Sequence, residues 1–397
     1  MKRFACCVVF LLAVLPSVRA EMNEPRRAVE AGIDLRSVNI GNNWFPIKNL
    51  LFPQDGVLVV DFYKMASVLT DGFKIDGTLD ATPFFFNINV KKILRLGVSA
   101  NVTGSFGLTV PRDTLDFLAG YDSDGTASAG AQVYGSAFAD LSLSVGTFIR
   151  NFGGRAGGDL GITLIPSVFL PLMKVTPGSS IEYTMDRDGV SAMTDISAYV
   201  IDYGSVTNLG DAYPLMGFDI SFAMEYPLSS KVDIALGVKH IPIRPGTLTK
   251  KAALGDGQTN RVSGEDLIAG EVDGLLPDFE NIAFETADLQ VSRPIEAGLS
   301  VSLRPLSWFS LLPSINLVFD EPFFFEYSLG TEIHWKKWIS ATLSTNYEDR
   351  IFVQRLQLGF NLRLLEVDLA VQSSSSNFLR SFLLTGAGFG VAFKFGW

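Results

Sequence analysis

The chain contains two histidines, His240 and His334. Hydrolysis of a lipid or peptide needs a base, most often His, beside a nucleophile or an acid. In an extended segment His334 shares one face with Glu332, Gly330, Ser328 and Glu326, an acid–base neighbourhood in outline. The same spacing describes a polar-face histidine beside a turn, and that is the reading adopted here. His240 follows Val238 in register and precedes Ile241-Pro242, as a residue at a strand end does. No HExxH, GxSxG, phosphate-loop or EF-hand pattern occurs. Adjacent acids such as Asp320-Glu321 are too common to mark a glycosidase. The two cysteines, Cys6 and Cys7, are adjacent near the start. The residues therefore read as those of a protein that is not an enzyme, with no catalytic residue, no metal ligand set and no cofactor assigned.

The elements that would hold these residues come into view from the composition. The 397 residues are 47% hydrophobic and 19% charged, with 31 Phe. A disordered chain is excluded, because there is ample apolar surface to bury. The formal charge of −10 argues against a general nucleic-acid binder. Lys2 and Arg3 precede an apolar run from Phe4 to Leu15, then Pro16 and Val18-Arg19-Ala20. Residues 1–20 read as a secretory signal peptide cut after Ala20, since so short a run does not cross a bilayer as a helix. Both cysteines fall inside it. Loss of Lys2, Arg3 and Arg19 with that segment lowers the formal charge by three.

Beyond residue 20 the chain alternates. From Leu94 the even positions are Leu94, Leu96, Val98, Ala100 and Val102 and the odd ones Arg95, Gly97, Ser99, Asn101 and Thr103. That is a strand pair or one long strand with a greasy face and a wet face. The pattern recurs from Val133 to Val145, where Asp140, Ser142 and Ser144 are on the wet face, and from Phe218 to Tyr226, with Asp219 and Glu225. It recurs again from Ile295 to Leu303 and in several later runs. About fourteen such segments (12–16) are expected, many reaching the nine to eleven residues that a tilted spanning strand needs. Soluble strands peak near five or six. The fold class expected is all-β, a transmembrane antiparallel β-barrel, which places His240 near the headgroup layer.

The last strand supports this. Phe389, Val391, Phe393, Phe395 and Trp397 share one face, and the sequence given closes on Trp397. Phe393, Phe395 and Trp397 resemble the signal that outer-membrane proteins show to the barrel-assembly machinery. Trp335 and Trp338 flank Lys336-Lys337 as interface anchors around a tight turn. Two regions read differently. Residues 21–83 are expected to form an N-terminal segment, in which Phe62, Met65 and Leu69 fall at helical spacing. A short helix there is expected either as a plug or hatch in the barrel or as a helix packed on its rim. Residues 84–397 are expected to form the barrel, with a long extracellular loop at about 244–281. Pro83-Phe84-Phe85-Phe86 recurs as Pro322-Phe323-Phe324-Phe325. Phe84, Phe86, Phe323 and Phe325 read either as lipid-facing girdle aromatics or as a greasy ligand path. Three consecutive Phe put at least one ring on the inner face.

On the segment from Ala28 to Trp44, the short helix from Phe62 to Leu69, the two Pro-Phe-Phe-Phe stretches and the terminal Phe393-Lys394-Phe395-Gly396-Trp397, the chain resembles the spirochaete (treponemal) outer-membrane barrels of the FadL-like, long-chain fatty-acid transporter type. That resemblance implies a fourteen-stranded barrel with an N-terminal hatch. The Asn-Pro-Ala element of FadL hatches is absent, and no ligand-binding residue is carried over. The expected function is passive uptake of hydrophobic or small solutes, long-chain fatty acids among them, across a bacterial outer membrane. Its expected partners are outer-membrane lipid, the barrel-assembly machinery and a hydrophobic small molecule. A surface-exposed structural protein or adhesin using the long loop is the second reading. An outer-membrane hydrolase resting on His334 is a distant third.

Overall fold

The computed structural model describes residues 27–44, 62–70, 72–90, 93–118, 127–152, 158–186, 189–202, 204, 208–254, 259–263, 283–320, 323–335, 338–348, 351–362, 364–383 and 385–397. The expected signal peptide and the Lys336-Lys337 turn lie outside the described residues. In chain order the first strands are β1 (Val29–Asn42), β2 (Phe73–Val90), β3 (Leu94–Val110), β4 (Ala127–Ile149) and β5 (Leu160–Val175). Next come β6 (Ser180–Asp186), β7 (Gly189–Val200), β8 (Gly217–Ser229), β9 (Val232–Arg244), β10 (Gly246–Leu254), β11 (Thr259–Ser263) and β12 (Ala283–Val291). The last are β13 (Ile295–Leu306), β14 (Phe309–Phe319), β15 (Phe324–Trp335), β16 (Ile339–Glu348), β17 (Ile351–Asn361), β18 (Leu365–Ser375) and β19 (Ala387–Gly396).

Antiparallel ladders carry a wall from β1 through β2, β3, β4, β5, β8, β9 and β13, then through each strand from β14 to β19. β19 pairs back onto β1, from Glu30 opposite Gly396 to Ile40 opposite Ala387. The wall is therefore a closed antiparallel barrel without a free edge. From its rim β6, β7, β10, β11 and β12 build an extension: β6 on the start of β4, β7 on β6, β10 and β11, and β12 on β10. Among the described residues the sheet as a whole holds nineteen strands, more than the about fourteen (12–16) read from the sequence. Part of the surplus, β10 and β11, lies where polar residues suggested a loop. Residues 246–254 and 259–263 of the expected loop at 244–281 are strands. Ladder bonds to a neighbour do not need an apolar face, so such strands are silent to a hydrophobicity pattern.

The N-terminal boundary also moves. Residues 21–83 were expected to stand apart from the barrel, yet β1 and the first half of β2 are wall. The reason is local. Pro83 has no amide hydrogen, and the β2–β3 register shifts between Ala81 and Phe84. The shift breaks the alternation, so β2 reads as two pieces in sequence.

The two faces are of opposite character. Leu96, Leu141, Leu143, Val145, Leu236, Leu299, Leu343, Leu356 and Leu369 are exposed on the outside. Asp76, Asp80, Asp140, Asp219, Glu296, Asn316, Glu326 and Asn346 are buried on the inside. A protein dissolved in water on both faces would carry the reverse distribution. At the end of the barrel that holds Val29 and Gly396, five hairpins are joined by two or three residues each. At that end Trp308, Trp335, Trp338 and Trp397 are exposed, as interface aromatics are. The opposite end carries the extension and most of the longer connections, the β4–β5 connection over residues 150–159 being the exception.

The helix expected as a plug is α1 (Phe62–Val68). It lies at the long-connection end, against α2 (Arg112–Leu118). Met65, Ala66 and Leu69 are buried with Phe73 and Leu115, and Trp44, Ile75 and Val110 pack around them. Phe73, Ile75 and Val110 alternate with inward Asp76 and Thr109, so α1 covers the outer side of the rim rather than the lumen. The plug reading of Met65 and Leu69 is thereby corrected. A stripe of Met and Leu at helical spacing buries equally well on a rim. The Phe62 side chain lies outside the described residues.

Candidate functional site: a polar belt inside the barrel

The inward face has a continuous hydrogen-bonded belt. The Thr82 hydroxyl on β2 donates to Asn101 Oδ1 on β3 at 2.9 Å. Asn101 Nδ2 donates to Asp140 Oδ1 on β4 at 2.8 Å. Ser142 Oγ donates to the same oxygen at 2.7 Å and meets Ser167 Oγ of β5 at 2.8 Å. The belt ends on Arg293, in the three-residue connection between β12 and β13. Its Nη1 donates to Asp140 Oδ2 at 2.7 Å, and its Nε and Nη2 donate to the two oxygens of Asp219, on β8, at 2.7 and 2.8 Å. The three side chains are 4%, 3% and 1% exposed. The planar fork of the guanidinium matches one carboxylate bidentately and reaches the second with its remaining edge.

Strand alternation puts these groups together. Asp140 and Asp219 occupy the wet positions of β4 and β8, and Asn101 that of β3. Arg293 comes from outside any alternating run, carried inward where β12 turns into β13. Above the belt, Phe138 and Phe169 point inward and pack with Ile201, Leu248 and Val291. The guanidinium of Arg293 lies 5.0 Å from the Phe169 ring centre. The base of the β10–β12 arm is thus pinned over the barrel interior by an apolar collar and a charged latch. In the half toward the long connections the inward side chains are mostly buried; toward the short turns Arg95, Ser144, Glu225, Ser300, Glu332 and Lys394 are partly exposed.

Arg36 on β1 lies 3.2 Å from Asp34 and 3.8 Å from Asp80. Lys394 on β19 is 3.1 Å from both Glu366 and Asp368 on β18. Arg95 on β3 reaches Glu225 on β8 at 2.5 Å, and Lys239 meets Glu296 at 3.6 Å.

The residues singled out from sequence fall as follows. Phe84, Phe86, Phe323 and Phe325 are all exposed on the outside. None of the four faces the lumen, as a ligand path through it would require; Phe85, which is buried, and Phe324 are the inward members. Phe84, Phe393 and Phe395 line an apolar outer groove with Ala31, Gly32 and Ile33, at the seam of first and last strands. Trp397 is exposed there too, its amide bonded to the Val29 carbonyl at 3.1 Å. His334 sits 3.2 Å from Glu332 near the short turns. His240 is not at a headgroup-facing strand end. The β8–β9 register shifts between Ile220 and Phe222, His240 takes φ of 57°, and its Nδ1 lies 3.6 Å from Asp219 Oδ2. A positive φ is uncommon outside glycine and turns the side chain out of the strand alternation. Asp140 and Asp219 were visible as wet-face charges, but nothing in the sequence marks Arg293 as their partner. Among the described residues no cluster of three His, Cys, Asp or Glu could hold a metal, and no helix is long and apolar enough to cross a membrane.

No protein-family model and no curated protein matches the chain. Solved structures do. A deletion mutant of the monoaromatic hydrocarbon channel TodX is 9% identical, with 93% of this chain and 90% of that one covered at a TM-score of 0.48. The monoaromatic hydrocarbon channel CymD is 9% identical, covering 97% and 94% at 0.47. A Pseudomonas aeruginosa FadL homologue is 11% identical, covering 92% and 87% at 0.40. Likenesses this distant carry no argument about this chain, and the closed barrel stands on its own strand circuit.

Proposed function

We propose that this chain spans a bacterial outer membrane and is a passive entry route for small or hydrophobic solutes. The observation that carries the reading is the closed wall with an apolar outside and a polar inside. With no water in hydrocarbon, a spanning β-structure must satisfy every backbone group within itself, and closure does this. The wall uses far more strands than the eight whose interior is filled by side chains alone. Phe393, Phe395 and Trp397 fit a role in assembly into that membrane. The test is flux through the purified, refolded chain in liposomes, using a neutral sugar for swelling and a small aromatic hydrocarbon for uptake. Both should exceed protein-free controls; a folded barrel passing neither would overturn the proposal.

The extension of β6, β7 and β10–β12 favours a second reading, a surface-exposed structural or adhesive protein. Shortening residues 255–282 should then abolish binding to cells or matrix. Unchanged binding would remove this reading.

A further inference from the structure

We propose that the barrel interior rejects anions, so that the solutes it passes are uncharged or cationic; this rests on the channel reading and narrows it. Three inward cations are each held between two carboxylates. Arg293 lies between Asp140 and Asp219, Arg36 between Asp34 and Asp80, and Lys394 between Glu366 and Asp368. Six carboxylates face three cations, and each trio keeps one negative charge in excess. The inward pairs Arg95–Glu225 and Lys239–Glu296 are one to one and leave the balance unchanged. Arg355, donating to the Arg36 carbonyl at 3.1 Å, adds one positive charge. Asp76, which accepts from the Tyr134 hydroxyl, Glu326, which accepts from Asn316 at 3.0 Å, Glu332 and Glu30 add four negative ones, while the buried Arg27, donating to the Lys394 carbonyl, and Lys74, in register with Thr109, add two positive ones.

The trios stand at different heights. Asp219 is close to the start of β8 at the long-connection end, and Lys394 is close to the end of β19 among the short turns. Asp34 lies between them, and Asp80, in register with Ser37, stands further toward the long-connection end. A solute crossing the interior therefore passes through the field of excess negative charge at more than one level, the buried Arg293 trio acting through the wall and the Lys394 trio near the short turns. Low-dielectric walls focus that field along the lumen. A fatty-acid carboxylate would be repelled at each level, whereas an uncharged hydrocarbon or an amine would not. Rings of acidic side chains select cations in channels by the same electrostatics.

The test uses the full chain in planar bilayers under a KCl gradient, where the sign of the reversal potential gives the preferred ion. Cation permeability should exceed anion permeability by about fivefold at low salt and approach parity at 1 M. Asp34→Asn together with Asp368→Asn should lower the low-salt ratio markedly toward one, with the Arg293 trio, Asp76 and Glu326 keeping a residual cation preference. A conducting wild-type channel with a ratio at or below one would overturn the inference and leave the channel reading standing. A ratio that both substitutions leave untouched would overturn its assignment to the trios. A folded barrel that conducts nothing would overturn the channel reading, and the inference with it.

Discussion

Replacing Arg293 by Met is the most demanding perturbation of the belt. The side chain is nearly inaccessible and makes three charge-assisted hydrogen bonds to two carboxylates that are themselves buried. Methionine fills much of the same space, so little of the loss is packing. What remains is a pair of buried carboxylates without their counter-charge. Breaking a buried ion pair from one side costs about 3–5 kcal/mol, because the partner stays desolvated. Asn101 and Ser142 still donate to Asp140, which puts the expectation at about 3 kcal/mol. The assay is urea unfolding of the barrel refolded in lipid vesicles, followed by tryptophan fluorescence. Arg293→Met should lower the unfolding free energy by that amount and loosen the β10–β12 arm to proteolysis. The triple variant with Asp140→Asn and Asp219→Asn should recover most of it, because neutral amides tolerate burial beside Asn101 and Ser142 better than bare charge does. A loss below about 1 kcal/mol, or a triple variant no better than the single, would refute the latch.

Other outcomes follow from the two-faced wall. Leu143→Arg, on the outer face of β4, should cost about 2–4 kcal/mol in bilayers, whereas Ser144→Arg on the inner face should change conductance more than stability; urea titrations and single-channel records separate the two. Gly32 lies under the Phe85 ring and beside the Phe393 carbonyl, so Gly32→Val should strain the seam of first and last strands by about 2 kcal/mol or more, read as a lower unfolding midpoint. Phe395→Ala with Trp397→Ala should lower the yield of folded barrel in cells while leaving refolding in detergent nearly unchanged, as a gel-shift assay of heat modifiability would record.

Much of the wall was legible because alternation is a local property. The run from Leu94 to Val110 is one strand of 17 residues, with Leu96 outside and Asn101 inside as the spacing required. What was not legible depends on pairing or on place. β10 has Lys250-Lys251 and no greasy stripe, yet it pairs with β12 from Gly246 to Ala253 and with β7 from Lys250 to Leu254. Met65 and Leu69 have one spacing whether a helix fills a lumen or covers a rim, so only the contacts with Leu115 and Phe73 decide. Phe84 and Phe86 were assigned a shared face correctly, but which face follows from a bulge that Pro83 imposes. Arg293 is an isolated charge before a proline; its role exists only once β4 and β8 bring two carboxylates to it.

The central claim is that hydrocarbon wets the outside of this wall and water the inside. Both cysteines lie in the first seven residues, so single-cysteine variants of a chain without them are straightforward. Cysteine placed in turn from Leu141 to Val145 should alternate in a bilayer: Leu141→Cys, Leu143→Cys and Val145→Cys quenched by brominated lipid through an attached fluorophore, Ser142→Cys and Ser144→Cys labelled by a water-soluble maleimide instead. Uniform labelling along the strand, or alternation of the opposite phase, would contradict it.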